Sequence, residues 1–164
     1  MSDNVVIPLH AAAATVALLL GAFNLLRRTR GDRLHRVAGR VWVAAMYFTI
    51  VSSFFIKALN PGHFSWIHGL SAFTFVTLSL GLWAAVTGRI ERHRRFMTGS
   101  YLGLLGAFVG AVVVPQRDIP QWIVHRPLEL ALGLLGCVLV AALVVLSGRR
   151  AAPAQQIGQD AHMR

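Results

Sequence analysis

The sequence predicts an all-α integral membrane bundle of about five transmembrane helices, and three observations predict it. Of the 164 residues, 55% are hydrophobic and only 13% charged, against roughly 25% charged in an ordinary soluble domain. The apolar residues gather into runs of about 20, the length at which a helix crosses the hydrocarbon. The 16 basic residues stand in short clusters between those runs. A barrel of strands is excluded, because the runs are too long and do not alternate.

Five segments qualify as spans: residues 5–26, 37–59, 64–86, 96–115 and 127–147. The first has no basic residues ahead of its apolar stretch, so it reads as a retained helix and not as a cleaved signal peptide. The connection RRTRGDRLHR (27–36) joins spans one and two, and Asn60-Pro61-Gly62-His63 makes a tight turn into span three. TGRIERHRR (87–95) leads into span four. PQRDIPQWIVHR (115–126) is the longest connection, and its Trp122 suits the interfacial belt. Residues 148–164 lack apolar periodicity and are expected to form a disordered cytoplasmic tail.

Charge sets the direction. Arg27, Arg28, Arg30, Arg33, Arg36 and Arg40 cluster at one end of the bundle, joined there by Arg89, Arg92, Arg94, Arg95, Arg149, Arg150 and Arg164. The other end has Lys57, Arg117 and Arg126. The positive-inside rule therefore puts the N-terminus outside and the C-terminus in the cytoplasm, in a multi-pass inner (cell) membrane protein. A net charge of +10 divided this way suits anionic lipid headgroups at the cytoplasmic face and not nucleic acid.

Four of the seven histidines form a pattern. His10 and His35 are 25 residues apart, and so are His68 and His93. The contexts RLHRVAG and ERHRRFMTG suggest a weak internal two-helix repeat. Spans one and three start outside, so His10 and His68 lie at one depth; spans two and four start inside, so His35 and His93 lie at another. Ionisable residues at membrane depth are expensive and mark candidate sites. Two imidazoles from facing helices are what a b-type haem iron takes as axial ligands. His35, Gly39, Trp42 and Met46 share one helical face, and Ala14, Ala17 and Gly21 follow His10 on another. Arg36, Arg40, Arg94 and Arg95 are placed to hold propionates on the inner side. Two other readings stand beside haem ligation: another metal or a quinone role, and plain interfacial histidines that cap helices or touch lipid phosphate.

The remaining features read as packing. Gly99, Gly103, Gly106 and Gly110 make a small-residue stripe for close helix contact, on a different face from His93 and Met97. Met97 and the lone Cys137 read as core filler. Thr74, Thr77 and Ser79 are expected to bond back to their own helix, and Glu129 to complement the helix dipole of span five. His63, His125 and His162 take no role. No nucleophile elbow, phosphate loop, HExxH or carboxylate pair is present, so nothing in the sequence supports hydrolysis or group transfer. A solute transporter would need helices broken at the midplane, and none is evident.

The segments GAFNLLRRTRGDRLHRVAGRVWV and IHGLSAFTFVTLSLGLWAAVTGRIERHRRFMTGSYLGLLGAF carry an LHRxxGR block, an H-x-x-S-x-x-T stretch and an HRRxM block. They resemble the predicted membrane proteins grouped as domain of unknown function 2306, over about residues 10–116. That resemblance implies a multispan bacterial membrane protein with matched histidines and no established activity. The alternation of His10, His35, His68 and His93 is also similar in architecture to the ascorbate-reducible di-haem b-type cytochromes. Their ligand spacing is longer, and their ligands do not sit among arginines. The function expected is a membrane electron-transfer component with one or two haem b groups, His10 with His68 and His35 with His93 as axial pairs. The alternative is a non-enzymatic bundle that assists assembly or stability of another membrane complex, with a partner protein or a second copy of the chain.

Overall fold

The computed structural model describes residues 3–56, 66–113 and 123–150. They form five long helices: α1 (Asp3–Leu26), α2 (Arg33–Ser53), α3 (Trp66–Val86), α4 (Ile90–Val113) and α5 (Pro127–Arg150). Among the described residues there is no strand. The protein is therefore an all-α helical bundle of membrane type.

Chain neighbours pack as hairpins, α1 against α2 and α3 against α4, matching the two units of the expected repeat. Contacts of α2 with α3 and of α1 with α4 close these hairpins into a four-helix ring. Among the described residues α1 and α3 stand across the ring from each other, as do α2 and α4, their backbones apart and their side chains meeting at the centre. Helix α5 lies outside the ring against α1 and α2. The centre is filled by Ala17 and Leu20 of α1, Trp42, Met46 and Ile50 of α2, Leu78 of α3 and Leu104 of α4, with Ala141 of α5 closing one side. Met97 and Tyr101 pack against this cluster, and Cys137 is buried as a small filler. Outward, the helices present large apolar side chains such as Phe73, Leu102, Leu135 and Leu143, as a lipid environment requires.

Helix starts explain where the boundaries moved. Asp32 caps α2, its Oδ1 accepting from the backbone N–H of His35 at 2.9 Å. Arg27 grips the same carboxylate with both terminal nitrogens, at 3.0 and 2.7 Å. This holds Asp32 below the usual carboxylate range, Arg27 being the main cause and the His35 amide the next. Gly31, at φ +79°, supplies the left-handed residue that turns the chain into that cap. The cap puts the start of α2 at Arg33, four residues before the expected 37, and so draws His35 into the helix. Helix α4 begins at Ile90, not at 96. Glu91 stands in its first turn, where a carboxylate favours the N-terminus, and reaches Arg95 at 3.1 Å and Arg94 at 3.4 Å. The HRR block is thus helical, and Gly88 at φ +72° makes the short turn before it.

Four of the five helices, all but α2, are long and apolar enough to cross a membrane. The expectation of five rested on counting 37–59 alone. As described, α2 runs Arg33–Ser53, so it opens with Arg33, Arg36 and Arg40 and covers only 37–53 of the expected apolar span, and it is the helix most enclosed by its neighbours. Helix α5 runs to Arg150, so the expected tail does not begin at 148. Gly148 is buried, and a Cβ there would meet Leu34 Cδ1 at 2.5 Å. Residues 57–65, 114–122 and 151–164, with Trp122, His63 and His162 among them, lie outside the described residues.

Candidate functional site: histidines at two levels of the bundle

The arginine-rich end gathers the C-termini of α1, α3 and α5 with the N-termini of α2 and α4. His35 and His93 both belong to this end, on helices that face each other across the ring. His93 Nδ1 donates to the carbonyl of Gly81 on α3 at 2.9 Å. A carbonyl only accepts, so the proton sits on Nδ1 and the lone pair is left on Nε2. Gly81 allows this approach: a Cβ there would lie 2.8 Å from Met97 Cε and 3.0 Å from Phe96 Cβ. His35, ahead of the apolar stretch that begins at Val37, keeps a buried Nδ1 with no hydrogen-bond partner among the described residues.

At the opposite end His10 and His68 converge on the last turn of α2. His10 Nδ1 lies 2.8 Å from Ser52 Oγ. The Ser52 hydroxyl already donates to the Phe48 carbonyl at 2.7 Å, so it accepts from His10, whose lone pair is again on Nε2. His68 is 6% exposed and packs its ring against Phe54, centroids 5.8 Å apart. Beside it Ser53 Oγ and Ser71 Oγ are 2.8 Å apart. The histidines of each expected pair therefore lie toward one end of the ring, on helices that stand opposite each other across it.

The four arginines do not join them. Arg94 and Arg95 have side chains 58% and 79% exposed and are held by Glu91. Arg36 is exposed and donates to the Gly31 carbonyl at 2.6 Å, and Arg40 is exposed as well. One residue along a helix turns the side chain by about 100°, so Arg36 and Arg94 cannot share the direction of the histidine before them. Among the described residues no three histidine, cysteine or acidic side chains come together as a metal site.

Sequence reasoning missed the bonds between helices. Thr74, Thr77 and Ser79 do donate to their own helix, at Leu70, Thr74 and Phe75. Ser79 Oγ also lies 2.8 Å from Tyr47 Oη on α2, and Thr77 Oγ1 lies 3.3 Å from Ser100 Oγ on α4. The glycine stripe of α4 does not pack against the other described residues. Gly99, Gly106 and Gly110 have nothing within 4 Å of a built Cβ, and Gly103 only Thr74 Oγ1 at 4.0 Å. Tyr101 and Leu104, not the glycines, face the ring. Glu129 takes an exposed partner, Arg126, at 3.3 Å.

The family described as Predicted membrane protein (DUF2306) matches residues 7–145. The chain belongs to this DUF2306 family. The match covers all four histidines and, beyond the resemblance noted from sequence, takes in most of α5. The chain matches no curated protein and no solved structure. As a DUF2306 member it is a multispan membrane protein in contact with the lipid bilayer.

Proposed function

We propose that this DUF2306 chain carries electrons within the membrane through haem b held by histidine pairs, His35 with His93 and His10 with His68. One observation carries the reading: His93 and His10 each commit Nδ1–H to an acceptor on the neighbouring helix. That bond aims the ring and leaves Nε2 with its lone pair, as in metal-bound histidines. The donor set is that of a bis-imidazole centre, two imidazoles coming from helices on opposite sides of the ring. Bound haem supplies reversible one-electron transfer. The chain's own residues orient the imidazoles and exclude water from the interior. Arg36, Arg40, Arg94 and Arg95 act from the surface, on anionic lipid headgroups or on propionates that reach the rim. In this reading the arginine-rich end is cytoplasmic and the membrane is the inner (cell) membrane.

A second reading has one observation in its favour, the open glycine stripe on α4. A helix from another chain could approach it closely, as in a bundle that supports a larger complex. Colour separates the two. Protein made in haem-replete cells and purified in detergent should give a reduced-minus-oxidised spectrum with Soret and α bands. Its absence would end the haem reading and leave the second. His35→Ala or His93→Ala should remove the signal of one haem and spare the other.

A further inference from the structure

Helices α1 and α2 meet through a reciprocal pair of glycine contacts. Trp42 of α2 lies over Gly21 of α1, its Nε1 2.7 Å from where a Cβ would stand, with the Tyr101 ring alongside. One turn closer to the arginine-rich end, the Asn24 side-chain amide of α1 lies over Gly39 of α2, Nδ2 3.7 Å from its Cβ position. Trp42 is only 5% exposed. Its Nε1–H, a donor, and Asn24 Oδ1, an acceptor, are both buried without a hydrogen-bond partner among the described residues. Such groups cost free energy in a bilayer interior, where no bulk water can satisfy them.

The two orphans are complementary in sign and lie on the same α1–α2 seam, at successive glycine contacts. Gly21 and Asn24 are three residues apart, as are Gly39 and Trp42, an axial rise of about 4.5 Å. No direct bond joins the two groups, and an axial offset of that size is within the reach of two hydrogen bonds of about 2.9 Å sharing one oxygen. The group that completes the pair must accept from the indole and donate to the amide. Only a hydroxyl or a water does both with one atom. Absence of a side chain at positions 21 and 39 is what leaves the seam narrow enough for both groups to reach it. His35 Nδ1, four residues from Gly39 toward the arginine-rich end and on the same face of α2, is a third buried atom without a partner among the described residues. The polar track thus continues toward that end.

We propose that the α1–α2 seam is a binding site for one hydroxyl group, bridging Trp42 Nε1–H and Asn24 Oδ1, supplied by an ordered water or by a lipid-soluble hydroxylated molecule. This inference does not rest on haem binding. The site is read by nuclear magnetic resonance of the full chain labelled at the tryptophan indole nitrogens, the Trp42 signal being assigned by its loss in Trp42→Phe. The Trp42 N–H is expected at the downfield position of a hydrogen-bonded indole, moving upfield in Asn24→Leu. A signal that survives exhaustive delipidation identifies water; one lost on delipidation and restored by the native lipid extract identifies the hydroxylated molecule. Either outcome supports the site. An unbonded Trp42 N–H in the native protein overturns it whether or not the variant folds, and so does a bonded signal unchanged in Asn24→Leu.

Discussion

Helices α2 and α5 reverse the rule that serves for soluble proteins. By composition α5 is the most apolar span, yet most of its large side chains, among them Leu132, Leu139 and Leu143, are exposed. Helix α2 is not apolar enough to qualify as a span, yet it buries Leu34, Ala38, Trp42, Met46, Thr49, Ile50 and Ser52. In lipid the outside is as apolar as the core, so hydrophobicity does not drive a helix inward. Polar groups that need partners do. Tyr47, Ser52 and Ser53 of α2 each find one on another helix.

Substitutions test that contrast, the largest effect first. Trp42→Ala removes a side chain at the centre of the ring and should cost roughly 3–5 kcal/mol, read as a shifted midpoint when helicity is followed through a denaturing-detergent titration. Leu139→Ala on α5, where the residue is 55% exposed, should stay within about 0.5 kcal/mol. Equal losses would mean that the exposed side of α5 is covered by protein. Two glycines sharpen the point. Gly21→Ala drives a methyl into Tyr101 and Trp42 and should cost about 1–3 kcal/mol in the same titration. Gly106→Ala, with nothing near it, should be neutral or stabilising by up to about 1 kcal/mol from helix propensity. A loss at Gly106 that depends on protein concentration would reveal another chain on that stripe.

Smaller still, Tyr47→Phe removes the bond to Ser79 and should cost about 0.6 kcal/mol, the usual worth of such a bond between membrane helices. A cost above 2 kcal/mol would make this rung a main support of α2. The last effect is one of pH. Asp32 is held below the ordinary carboxylate value by Arg27. Its contribution is therefore full above about pH 4, the unfolded value, and fades as the pH falls through the lowered one. Thermal midpoints should drop over that acid window in the native chain and be flatter in Asp32→Asn. An unchanged slope would show that the Arg27 clamp does not govern the start of α2.

Much of this was legible in the sequence, and the rest failed for definable reasons. Apolar run length and charge clusters suffice to find the helices, because lipid enforces one minimum length on every span. They do not find helix starts. The arginine clusters that mark an interface hid the Asp32 cap and the Glu91 turn, which extend α2 and α4 into them. The equal spacing of His10, His35, His68 and His93 assigns each to one end of its helix, since depth follows from position along a span. Which way the neighbouring arginines point follows from helical phase, and at one residue's distance phase separates Arg36 from His35 and Arg94 from His93. The bonds from Tyr47 to Ser79 and from His93 to Gly81 depend on which helices adjoin in the ring, which spacing within one helix does not encode.

The clamp of Arg27 on Asp32 bears finally on how the chain is made. A span that opens with three arginines enters the bilayer more readily beside an apolar neighbour than alone. Six residues separate α1 from α2, and the clamp folds that link back on itself. The nascent chain thus has in α1 an escort already joined to α2, and the two can pass into the bilayer as one hairpin, with Arg33, Arg36 and Arg40 left at the threshold.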